Sequence, residues 1–69
     1  MRIISQKRDL SVDFESMPIA VKYNHLLALI GYKECVISEY NTQERAMEAF
    51  QNIYETYSEL PAIFKMPQD

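Results

Sequence analysis

Between Leu10 and Glu15 apolar and polar side chains alternate, with Leu10, Val12 and Phe14 set against Ser11, Asp13 and Glu15. Period two marks a strand with one buried face. Ile3 and Ile4 open a short apolar run that stops at Ser5-Gln6-Lys7-Arg8-Asp9, so a hairpin turning near Lys7-Arg8 is expected. Met17-Pro18 then breaks the chain, because proline brings no amide proton to a ladder and steers its predecessor away from helix. Across residues 19–30 the odd positions run Ile19, Val21, Tyr23, His25, Leu27 and Leu29, and the even ones turn apolar at Leu26, Ala28 and Ile30. This reads as one strand, half-buried at first and then buried on both faces. A helix competes over residues 25–30, but the flanking β-branched and aromatic residues favour a strand. Gly31, the only glycine, stands where a hairpin needs positive φ, and residues 35–40 read as the returning strand. The loop is Gly31-Tyr32, or that pair with Lys33 and Glu34.

The segment EYNTQERAMEAF, from Glu39 to Phe50, carries a strand end, a cap and a helix start. Asn41 is the expected cap, with Glu44 three residues later reaching back in a capping box. Ala46, Ala49, Phe50, Ile53, Tyr54 and Tyr57 follow at spacings of three and four, which gathers them on one side of a helix over residues 42–57. Pro61 stops it. Ala62, Phe64 and Met66 alternate with Ile63 and Lys65 as a last strand. The expected fold is α+β: a small antiparallel sheet in β-β-β-β-α-β order, with one amphipathic helix packed on one face. A single helix covers one face, so the other face or a sheet edge is left for solvent or a partner.

Sixty-nine residues make one domain, residues 1–69, with a small core. One cysteine makes no internal disulfide, which points to a reducing cytoplasm. The opening MRIISQKRDL lacks the apolar run of a signal peptide, and no segment approaches the roughly 20 apolar residues of a membrane span. Ten acidic against seven basic side chains leave a charge of −3, which disfavours a phosphate backbone unless Arg2, Lys7 and Arg8 form a patch. No direct nucleic-acid contact is expected.

Catalysis is not expected. A two-residue loop at Gly31-Tyr32 sets Cys35 opposite Ala28 and points His25 to the other face, while a three-residue loop leaves the two roughly 13 Å apart along the strands. Neither register lets the imidazole activate the thiol. Metal binding through His25 or Cys35 needs carboxylates or a second chain to complete the ligand set. One glycine excludes the glycine-rich phosphate loops, and no cofactor is expected.

The outward feature with order is acidic. On an ideal helix Glu44, Glu48, Glu55 and Glu59 fall within about 60° of arc, beside Gln51 and Asn52. They are either a solvated surface or a contact for a basic groove, where matched charges speed and orient association. Tyr32, Tyr57, Phe64 and Met66 form an apolar anchor set or belong to the core; Tyr32 at a hairpin tip is the better contact. The candidate partner-binding residues are thus Glu44, Glu48, Glu55, Glu59 and Tyr32.

Three separated stretches carry a resemblance: MRIISQ at Met1 to Gln6, EYNTQERA at Glu39 to Ala46, and FKMPQD at Phe64 to Asp69. Together they resemble a family of short uncharacterised proteins of Firmicute phages and mobile elements, which begin MRIISQDG, carry a segment like EYSTEEKA and finish near a Pro-x-Asp. Lys7-Arg8 stands where the family often has Asp-Gly, and Asp13-Phe14 where it often has Pro-Tyr, so the first turn should differ. The resemblance implies a phage setting, in which small acidic proteins block host machinery, CRISPR effector nucleases included. The leading expectation is a non-catalytic protein-binding module that inhibits a host defence nuclease in the anti-CRISPR manner. The alternatives are a structural homodimer through a sheet edge or the uncovered face, and a metal-binding protein using His25 or Cys35.

Overall fold

The computed structural model describes residues 1–59 and 61–69. Along them run β1 (Arg2–Ile4), β2 (Ser11–Asp13), β3 (Ile19–Lys22), β4 (His25–Ile30), β5 (Lys33–Glu39), α1 (Gln43–Tyr57) and β6 (Ile63–Lys65). The α+β class and the single helix stand as the apolar pattern indicates. The sheet arrangement differs: two three-stranded sheets form, ordered β2-β1-β6 and β3-β4-β5. The first has one parallel pair, β1 with β6, because the chain crosses over through α1 before its last strand returns beside its first.

The strand expected over residues 19–30 is instead a hairpin. It folds back at Tyr23-Asn24, with Lys22 opposite His25 and Tyr23 at φ 56°. Positive φ is uncommon for a bulky side chain, and the turn is held by Asn24, whose carbonyl accepts from the Tyr40 amide at 2.9 Å while its side-chain amide donates to the Tyr40 carbonyl at 2.6 Å. A two-residue turn reverses the parity of the inward positions. Ile19 and Val21 therefore share a face with Leu26 and Ala28, their partners in the ladder. The next hairpin turns on Gly31-Tyr32 with Gly31 at φ 63°, and a bulge near Ile37 lets both Ile37 and Ser38 be buried.

Thr42, not Asn41, caps α1: its hydroxyl accepts from the Arg45 amide at 3.2 Å. That puts Arg45 at the box position, so Glu44 closes no capping box; the Asn41 amide is engaged by the Asp69 carboxylate instead. Ala46, Ala49 and Ile53 are fully buried, in one cluster with Ile3, Val12, Leu26 and Met66. The buried stripe is narrower than its sequence suggests. Phe50 and Tyr57 are half-buried, and Tyr54 is 51% exposed. Among the described residues no helix is long and apolar enough to cross a membrane.

Candidate surface sites on the two flanks of the helix

Helix α1 lies over β3 and β4 and leaves two unlike flanks beside its buried stripe. The acidic flank faces the segment after β6, with Arg45, Glu48, Asn52, Glu55 and Pro67 around a shallow groove. Glu44, Glu48 and Glu55 are all exposed. Arg45 is the only base of this groove; it hydrogen-bonds Glu48 and lies 3.5 Å from Asp69. Those two carboxylates push its guanidinium further above its ordinary value, Glu48 contributing most. The flank is therefore a row of carboxylates with its one cation already engaged.

The opposite flank is apolar. Val21, Met47, Phe50 and Tyr54 line a groove along β3, with Gln43 and Gln51 as its polar margin. Met47 is 56% exposed, well beyond what a core methionine shows. Phe14 extends the strip, its ring 5.2 Å from Tyr54 and 5.0 Å from Tyr57. The sequence does not show this groove, because Met47 falls outside the periodic stripe while the spacing places Phe50 and Tyr54 within it.

The expected contact residues do not form one site. Glu44, Glu48 and Glu55 share a helix face, but α1 ends at Tyr57 and Glu59 lies in the turn beyond it. Tyr32 is fully exposed at the β4–β5 hairpin tip and lines neither helix groove. Tyr57 is half-buried, and Phe64 and Met66 belong to the core.

The three stretches quoted for the resemblance do converge. Gln6 donates its side-chain amide to the Pro67 carbonyl at 3.0 Å, accepts from the Glu39 amide at 2.9 Å, and its own carbonyl accepts from the Gln68 side chain at 2.8 Å. Tyr40 donates its hydroxyl to the same Pro67 carbonyl at 3.0 Å, and burial raises its phenol above the ordinary range. Asp69 closes the set on Asn41 and Arg45. These residues tie the chain's first strand, helix start and last segment together. Their arrangement is structural.

Cys35 stands opposite Ala28, and His25 opposite Glu39 on the other face of the sheet. The His25 Nδ1 lies 3.1 Å from the Glu39 carboxylate, a close approach that makes no hydrogen bond. Among the described residues no three His, Cys, Asp or Glu side chains gather as a metal cluster. Of the early bases, Arg2 is bound to Ser11 and Arg8 to the carbonyls of Ser5 and Met66. Compared with protein-family models, curated proteins and solved structures, the chain matches none.

Proposed function

We propose that this protein is a non-catalytic binding module that docks on a host protein through the acidic flank of α1 and inhibits a bacterial defence nuclease, as anti-CRISPR proteins do. The observation that carries the reading is the exposed row Glu44, Glu48 and Glu55, which spans roughly 16 Å of helix at 1.5 Å per residue. Enzymes that handle nucleic acid hold phosphates in basic channels, and those channels attract any ordered row of carboxylates. The phage setting comes from the resemblance of MRIISQ, EYNTQERA and FKMPQD, and supports the choice of partner.

Matched charge acts mainly on association rate and orientation, so the inhibition should weaken as salt rises. The test is titration of the purified protein into cleavage assays of candidate host nucleases. Inhibition that falls at least about tenfold in the triple variant Glu44→Gln, Glu48→Gln, Glu55→Gln supports the reading. A triple variant that inhibits as well as the parent, or a parent that binds none of the nucleases of its host, overturns it.

A further inference from the structure

We propose that two copies of this chain associate through the open edge of β3, in an antiparallel register centred on Ala20, so that the apolar flanks of the two helices meet. The argument starts from backbone groups. Leu29 donates its amide to the Pro18 carbonyl at 3.0 Å, and hydrogen-bonded pairs alternate along an antiparallel ladder. Ala20 with Leu27, and Lys22 with His25, are therefore the other pairs that bond β3 to β4. Ile19 and Val21 turn their amides and carbonyls the other way, and among the described residues no backbone bond from a turn or loop reaches them. An edge of this kind is a template for another strand.

The edge fits itself in one register. Antiparallel pairing about Ala20 sets Ile19 opposite Val21 of the second copy and Val21 opposite its Ile19, closing four hydrogen bonds. Shifting the centre to Ile19 would call on Met17, whose amide already donates to the Asp13 carbonyl at 3.1 Å. Shifting it to Val21 would call on Tyr23, which sits in the turn at φ 56°. Only the Ala20 centre uses both free residues and no engaged one.

The layer below fits as well. Helix α1 lies over β3 and β4, so with strands about 4.8 Å apart its axis stands roughly 5 Å from the two-fold. The two helices then lie about 10 Å apart, the upper end of the range for packed helices and suited to large side chains. Met47, Phe50 and Tyr54 fill that space, residue types enriched at interfaces. Charge agrees with the geometry. Two copies of charge −3 repel, and the groove along β3 has no charged lining residue. The same register brings Lys22 of each copy, which lies 3.5 Å from its own Glu34, to the Pro18 end of the other, near a Glu15 that lies 3.5 Å from its own N-terminal amine. The acidic flanks remain outward, giving a two-sided module.

Sedimentation equilibrium on the full chain tests association, and cysteine pairing tests the register. Both read self-association, so their outcome is separate from nuclease inhibition. The strip is small, and half-dissociation at tens of micromolar, about 50 µM, is expected for an interface at the low end of the size range. The average mass should rise with concentration from 8.1 kDa toward twice that value. Non-bonded antiparallel pairs hold their Cα atoms about 4.5 Å apart, within disulfide range. In a Cys35→Ser background, mild oxidation should therefore cross-link Ala20→Cys. It should leave Lys22→Cys reduced, because the two Lys22 positions lie roughly 13 Å apart along the strands. Met47→Glu, at an exposed position, should return the chain to monomer with its circular dichroism unchanged. A mass fixed at 8.1 kDa up to about 500 µM overturns the proposal, since an interface that small in affinity is no longer specific. So does a dimer indifferent to Met47→Glu, or Lys22→Cys cross-linking as readily as Ala20→Cys.

Discussion

The two flanks of α1 are built from the same fifteen residues and behave oppositely. On one side Glu48 and Glu55 face solvent across a groove whose only cation is held by carboxylates. On the other, Met47, Phe50 and Tyr54 stand beside Val21 at an unpaired strand edge. The carboxylates of the acidic flank act at long range, an effect that salt screens. The apolar flank acts only on contact. On the two proposals, one helix separates two roles: an acidic side for a basic partner and a neutral side for its own copy. What separates them physically is the narrowness of the buried stripe, a single file of Ala46, Ala49 and Ile53, which leaves the larger aromatics at its margin rather than beneath it.

The largest expected effect comes from removing the stripe that keeps the flanks apart. Ile53→Ala empties a fully buried position and should cost about 3 kcal/mol, read as a lowered urea midpoint. Both flanks would lose definition together. Next is Gln6→Ala, which strips the Glu39 amide of its acceptor and the Pro67 carbonyl of one of its two donors and should cost about 1 kcal/mol, with the Glu39 amide losing hydrogen-exchange protection and the segment after β6 held by fewer bonds. Because that segment borders only the acidic flank, self-association through β3 should survive the change.

Substitutions on the flanks should leave folding nearly untouched. Met47→Glu and the Glu44, Glu48, Glu55→Gln triple should each shift stability by less than about 0.5 kcal/mol, since the positions are exposed. Their effects on binding should be exclusive: the first abolishes self-association and the second weakens nuclease inhibition. If either variant changed both readouts, the division between flanks would be false.

The smallest effect is on pH. The Ser16 hydroxyl and then the Glu15 amide bond the Asp13 carboxylate, holding it below its ordinary value of 3.8. A depressed carboxylate stabilises the fold above its unfolded pKa, and that contribution is lost as pH falls through the folded value. The turn that delivers the chain into β3 should therefore loosen below about pH 3.8, visible as a loss of protection at the Glu15 and Ser16 amides relative to their intrinsic exchange at the same pH. Asp13→Ala should flatten that dependence.

The helix, its end near Tyr57 and the Gly31-Tyr32 turn were legible because each rests on local chemistry: a 3.6-residue period, a glycine at positive φ, the absence of a donor at proline. The β3–β4 hairpin was legible in part. Inward positions change from odd at Ile19 and Val21 to even at Leu26 and Ala28, and that change is the trace of an intervening two-residue turn. It was obscured because Tyr23 is a poor turn former by itself and depends on Asn24 being tied to Tyr40, sixteen residues away. The cap falls one residue beyond Asn41: the Thr42 hydroxyl accepts from the Arg45 amide, and the Asn41 backbone amide is bonded to Asp69. Of the expected contact set, the helix glutamates were readable from spacing. Glu59 and Tyr32 were separated from them by where the helix stops and where the hairpin points.

By itself the sequence determined where α1 lies, which segments are extended, and which side of α1 carries charge, because periodicity and charge spacing are properties of neighbouring residues. Only the tertiary structure decided that there are two sheets, that the first strand pairs with the last in parallel, and that Gln6, Tyr40 and Asp69 meet. It also decided that β3 ends as an unpaired edge beside Met47 and Tyr54. Pairings of that kind depend on which distant segments compete for the same backbone donors and acceptors, and no local pattern records the outcome of that competition.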